Sequence, residues 1–340
     1  MKAYTVLDNI DKIDRKEWES FVLDHPNGSI FQTPLMFDLY LKIPNYTPVF
    51  IVLKRNDEIE ALMISLIIRE YKNILGNFTA RSVIRGGPLL KNNDTELLEA
   101  MLKEYVVRVE RYAVYSQFRN LWNWDQGMKE IFIKHGFGYE DHLNITVNLN
   151  KSTEVLWKEI HPKRRNEIRK AEKNEIQVKS IHDYENFTNS YKILKDVYNR
   201  AGLPLHSFDF FKSAYELFLP KDRFIIFGAF LNNYLIGTMY VLCYKNTMYD
   251  WYAGSSAGFY NKCPNDILPW KAFIYGNKNN YHVFDFGGAG KPGIPYGVRD
   301  YKIKFGGELV NYGRFIKVHK KSLYSFSAGA LRIWKKIKRK

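Results

Sequence analysis

Apolar and polar positions along this chain follow two periods, and the changes between them mark its elements. Residues 16–23 set Trp18, Phe21 and Val22 on one side, a short helix face. The His25-Pro26-Asn27-Gly28 run is a turn. Residues 49–53 and 59–67 are β-rich runs around Arg55-Asn56-Asp57-Glu58, which predicts a hairpin. Arg85-Gly86-Gly87-Pro88 stops the next strand. Asp94 or Thr95 caps a helix on which Leu97, Leu98, Met101, Leu102, Tyr105, Val106 and Val109 share a face. A strand is expected within 112–124, a short helix over 128–135 ended by Gly136, and a strand over 145–149. Asn150-Lys151-Ser152 reads as a boundary.

The second half repeats this order. Ser152 caps a helix through residue 160, and Pro162 starts another. Residues 183–202 and 209–218 are helical by pattern. A hairpin turns at Asn232-Asn233 between 224–230 and 234–244, with a third strand over 247–253. A helix over 266–276, a strand over 283–286 and a closing segment over 308–318 complete it. Each hairpin turn precedes a strand that soon carries a small residue, Ala61 or Gly237. A duplicated α/β unit of roughly 150 residues accounts for this, the alternative being that any two hairpins look alike. The expected divisions are 1–150, 151–318 and a tail, 319–340.

Composition narrows the class. The chain has 340 residues, 46% of them hydrophobic, enough for two cores and too apolar for wholesale disorder. Two cysteines, Cys243 and Cys263, make neither a disulfide framework nor a four-thiolate zinc site, and a reduced cytosol is expected. The first residues are charged with no apolar run, and the most apolar stretch, 59–68, is about half a membrane span. A cytoplasmic protein is therefore expected. The net charge of +15 is uneven: residues 309–340 hold ten Lys or Arg, and no acid follows Glu308. Leu323, Phe326, Leu331 and Trp334 mix with this charge, which fits an amphipathic helix on the anionic inner face of a membrane. A frayed terminus fits as well.

Four segments carry candidate chemistry. Residues 163–173 hold six basic side chains and two acidic ones, with only Ile168 and Ala171 apolar. Arg165, Arg169 and Lys170 there present cations to phosphate, or form a solvated helix face. Asp285-Phe286-Gly287-Gly288 follows a strand, and its Gly287 and Gly288 amides can close on an anion, or make a plain turn. It lacks the Walker pattern and the other kinase signatures. Gly254-Ser255-Ser256-Ala257-Gly258 matches a nucleophile elbow, with Asp285 and His319 following in hydrolase order, but no helix is expected to start directly after Ser256. Residues 301–305 alternate as a strand does, which would put Lys302 and Lys304 on one face to hold a phosphate or an oxyanion, or guard a sheet edge. No His-Glu-x-x-His or cysteine ligand spacing occurs, so no catalytic metal and no cofactor are expected.

Over about residues 15–318 these segments together resemble the Fem family of peptidyltransferases and related acyltransferase-like proteins. The resemblance rests on residues 28–33, Arg85-Gly86-Gly87-Pro88, Gly136-Phe137, residues 165–173 and 265–270, Asp285-Phe286-Gly287-Gly288, and Tyr301-Lys302 followed by Phe305-Gly306-Gly307. It implies an α/β fold of two tandem acetyltransferase-like (GNAT-type) domains forming one cleft. It also implies transfer of an amino acid from aminoacyl-tRNA to an amine of a peptidoglycan or other envelope precursor, with a lipid-linked or sugar-linked acceptor. Lys302 falls on the family's Phe-Lys-x-x-Phe-Gly lysine, with Tyr301 in place of the Phe, and is implied to steady charge in the transfer. Arg165, Arg169 and Lys170 fall in the segment near the substrate phosphates. Asp285 is a candidate proton acceptor, and Tyr252 a candidate cleft wall. The broader relatives keep open an acyl-CoA donor and an N-acyltransferase acting on a surface polysaccharide or lipid. A non-catalytic RNA- or membrane-binding protein is the third reading.

Overall fold

The computed structural model describes residues 4–69 and 75–325. Two compact units divide the chain, one holding 1–141 with 312–340 and the other 142–311. The part of the basic tail beyond residue 325 lies outside the described residues.

In the first unit the strands run in the order Thr5–Leu7, Tyr46–Arg55, Glu58–Ile68, Arg81–Arg85, Tyr115–Arg119, Arg314–Val318 and Gly138–Glu140, with Leu89–Leu90 also paired to Glu58–Ile68. The helix Thr95–Val109 starts where expected, because the Asp94 carboxylate accepts from the Glu96 amide. It buries Leu97, Leu98, Met101, Leu102, Tyr105 and Val109 against one sheet face, with Phe118, Phe132 and Phe315. That helix links two parallel neighbours, Arg81–Arg85 and Tyr115–Arg119.

The second unit has the order Glu308–Asn311, Leu143–Asn148, Val283–Gly288, Thr247–Ser255, Tyr234–Tyr244, Phe224–Leu231 and Gln177–Ser180. Here Pro264–Lys278 is the crossover helix, and it links the parallel pair Thr247–Ser255 and Val283–Gly288. The duplication extends to detail. Both hairpins turn through two residues of positive φ, Asn56-Asp57 and Asn232-Asn233, the backbone of a two-residue hairpin loop. Both carry a bulge at the same offset before the turn, at Leu53/Lys54 and at Ala229/Phe230.

Two expectations need correction. The segment 308–318 does not close the second unit: Glu308–Asn311 pairs with Leu143–Asn148, and Arg314–Val318 crosses to the first unit's sheet. Gly313, at φ +66°, sits at the break. Residues 301–305 are not a strand. Gly297–Lys302 is helical and Ile303–Phe305 a 3-10 turn, so Lys302 and Lys304 do not share a face. Tyr301 and Phe305 meet instead, their rings 5.3 Å apart, as positions four apart on a helical path do.

Candidate active site

The second unit contains an open cavity of about 460 Å³ beside the strand Thr247–Ser255. Seven aromatic side chains line it, Tyr198, Trp251, Tyr252, Tyr260, Phe286, Tyr296 and Tyr301, among smaller and aliphatic residues such as Val197, Leu268 and Gly288. Two charged side chains reach it, Asp250 and Lys302.

Lys302 ends the short helix Gly297–Lys302, and its ammonium is held from two sides. Nζ lies 3.0 Å from Asp250 Oδ2 and donates to the Phe286 carbonyl at 2.5 Å. Both side chains are largely buried, 16% exposed for Lys302 and 8% for Asp250. An ammonium has three N–H donors, so one is left for a ligand in the cavity. Held between two largely buried groups, that donor acts on a nearby charge more strongly than it would in bulk water.

Asp285 lies one layer back. It is buried, it does not line the cavity, and its Oδ1 accepts the Gly287 amide at 2.7 Å. Burial pushes its carboxyl up to about 6, while the Gly287 hydrogen bond and the Lys302 charge pull the other way. Gly287, at φ +72°, makes that turn possible. Its amide serves Asp285, which differs from the anion-closing role expected for it. Gly288 lines the cavity.

The basic helix Pro162–Lys173 is positioned by its own Arg164. The Arg164 guanidinium pairs with Asp266 and lies over the Tyr301 ring, 4.6 Å from its centre. Burial raises both the Asp266 carboxyl and the Tyr301 phenol. Tyr301 also donates to the Asn265 carbonyl at 2.5 Å, so one chain of contacts ties this helix to the Lys302 segment. Ile168 and Ala171 are buried as expected. Arg169 lies over Trp157 at 5.3 Å and donates to Asn166; Lys170 is exposed and Arg165 partly exposed. Arg165, Arg169, Lys170 and Lys304 do not line the cavity, whereas Tyr252 does, against Tyr198 and Phe211.

The sequence reading missed Asp250, Tyr198 and Tyr296. Asp250 sits in a strand among aromatics, and its partner is far away in sequence, so no local pattern marks it. The elbow match does not form: Thr247–Ser255 is followed by the 3-10 turn Ala257–Lys262, and the His319 ring meets Ser116.

Comparison with known proteins defines the class. Residues 162–302 match the acetyltransferase (GNAT) domain family, a match that starts at the basic helix and ends on Lys302. No curated protein matches. Among solved structures, FemX shares the fold with a TM-score of 0.74 at 15% identity, over 95% of this chain and 99% of that one. A tandem GNAT protein from the clavulanic acid biosynthesis pathway gives 0.55 at 8% identity, covering 92% and 96%. The C-terminal domain of a protein assigned as a lysylphosphatidylglycerol synthetase from Agrobacterium fabrum gives 0.52 at 10% identity, covering 78% and 85%. The chain thus has a tandem GNAT fold like that of FemX.

Proposed function

We propose that the chain is an aminoacyltransferase that moves an amino acid from aminoacyl-tRNA to an amine of a peptidoglycan or other cell-envelope precursor. The observation that carries this is the Lys302 ammonium, fixed by Asp250 and the Phe286 carbonyl at the wall of the cavity. The amine nitrogen attacks the ester carbonyl, a C–N bond forms, and the carbonyl oxygen takes up negative charge. Lys302 stabilises that oxyanion, a role typically worth ~3 kcal/mol. Asp250, the carboxylate in the cavity, takes the proton the amine loses; the ester C–O bond then breaks and the leaving oxygen receives that proton. Asp285 acts from behind, fixing the Gly287 turn that carries the Phe286 carbonyl. Tyr252 and Gly288 shape the wall, and Arg165, Arg169, Lys170 and Lys304 grip donor or acceptor phosphates outside it.

FemX supports this reading at the level of fold, and a lysylphosphatidylglycerol synthetase of similar fold suits a lipid-linked acceptor. In this reading the enzyme works at the inner face of the membrane, with the basic tail 319–340 making peripheral contact. Among the described residues no helix is long and apolar enough to cross a membrane. The GNAT domain match favours a second reading, transfer from acyl-CoA to a surface polysaccharide or lipid. A two-donor assay separates them: purified protein, an envelope lipid extract, and either a labelled aminoacyl-tRNA pool or labelled acetyl-CoA. Label from the tRNA pool in the lipid fraction is the expected result. Label from the thioester alone would move the function to acylation.

A further inference from the structure

The first unit carries a row of arginines that the chemistry above does not use. Ile84, Phe118 and Phe315 face its core, so their neighbours Arg85, Arg119 and Arg314 face the other way. These three stand side by side on adjacent strands: Arg85 is paired with Arg119, and Arg119 with Arg314. Adjacent strands lie about 4.8 Å apart, so the row spans about 10 Å. Like charges directly opposite in a ladder destabilise it.

Local neutralisation is incomplete. Among the described residues neither Arg85 nor Arg119 makes an ion pair: Arg119 donates Nε–H to Gln117 at 2.9 Å, and Arg85 lies over the Phe31 ring at 5.4 Å. Glu140 stands opposite Arg314 at the far end. Burial and mutual repulsion push Arg119 down to about 9 and Arg314 down to about 10. The Ser29 hydroxyl, 2% exposed and without a hydrogen-bond partner, sits against Gly86, next along the chain from Arg85.

We propose that the Arg85, Arg119 and Arg314 row binds a phosphate-bearing ligand with two or more negative charges. Guanidinium forks take phosphate oxygens in pairs, and three of them in line suit a multiply charged phosphate better than a single carboxylate. The phosphate belongs either to a free small molecule or to a lipid head group.

The test is thermal unfolding of the full chain in pyrophosphate, in inorganic phosphate, and in sodium chloride at matched ionic strength. Pyrophosphate is expected to raise the melting temperature beyond the chloride effect. Arg119→Gln is expected to raise the melting temperature without anion and to remove the pyrophosphate increment, and Arg119→Lys to weaken pyrophosphate binding about tenfold, since it keeps the charge and loses the fork. Arg314→Gln, at the end of the row opposite Glu140, repeats the test should Arg119→Gln not fold. Flotation with phosphatidylcholine vesicles, with and without phosphatidic acid, separates the sources. Binding to phosphatidic acid that Arg119→Gln weakens assigns the lipid; a pyrophosphate shift without it assigns the free ligand. No shift beyond chloride, or an equal shift in both Gln variants, would overturn the proposal. So would binding of a single-stranded RNA, lost in Arg119→Gln, by a protein that ignores pyrophosphate.

Discussion

Asp285→Asn should make this protein more stable at alkaline pH. The carboxyl is buried, and its pKa rises from the ordinary 3.8 to about 6, chiefly through desolvation. That gap corresponds to about 3 kcal/mol of penalty on the ionised form in the fold. The sign follows from linkage. Below 3.8 the group is protonated in both states and costs nothing. As pH rises to about 6 the unfolded chain releases its proton first, so stability falls; above that the penalty is complete. Asparagine removes the charge but can still accept the Gly287 amide through its carbonyl oxygen. Exchanging a charged acceptor for a neutral one gives back about 1 kcal/mol. The expected net gain at pH 8 is about 2 kcal/mol, shrinking to nothing or a small loss near pH 4. Urea unfolding of both proteins across that range measures it. A variant destabilised by the same amount at every pH would refute the reasoning, because Asp285 would then be stabilising while ionised.

Other perturbations test other parts. Arg164→Ala leaves the Asp266 carboxylate buried and unpaired; a loss of about 3 kcal/mol in chemical unfolding is expected, with much of it recovered in the double variant with Asp266→Ala. Gly306→Ala should cost at least 1 kcal/mol, since φ is +87° and a Cβ would come within 2.9 Å of Glu159 Cβ and 3.0 Å of its backbone. Replacing Arg165, Arg169 and Lys170 by Ala should weaken aminoacyl-tRNA binding and flatten its salt dependence with little change in melting temperature, measured by filter binding across a salt series.

Much of the fold was legible because its signals are local. Turn residues with positive φ, helix caps such as Asp94 and Ser152, and runs of one period each specify their element without help from distant residues. Failures came where tertiary pairing decides. Tyr301-Lys302-Ile303-Lys304-Phe305 alternates like a strand, yet the same residues put Tyr301 and Phe305 four apart, and packing of their rings with Arg164 over Tyr301 favours the helix. The crossing of Arg314–Val318 to the first sheet depends on partners far earlier in the chain, such as Tyr115, which pairs with Val318. At the site, Lys302 and Asp285 could be singled out from glycine-rich surroundings and family likeness. Asp250 could not, since its meaning comes wholly from Lys302 lying 3.0 Å away.

The role of Lys302 is tested most directly by single-turnover transfer with whichever donor labels the acceptor. Wild type, Lys302→Ala and the double variant with Asp250→Ala should be compared, each alongside its melting temperature. The single variant strands a buried carboxylate, so it should lose both stability and transfer. The double variant should regain stability while transfer stays about 100-fold or more below wild type, since it lacks both the oxyanion donor and the proton acceptor. Recovery of transfer together with stability would show that the Lys302–Asp250 pair only holds the fold, and would contradict the account.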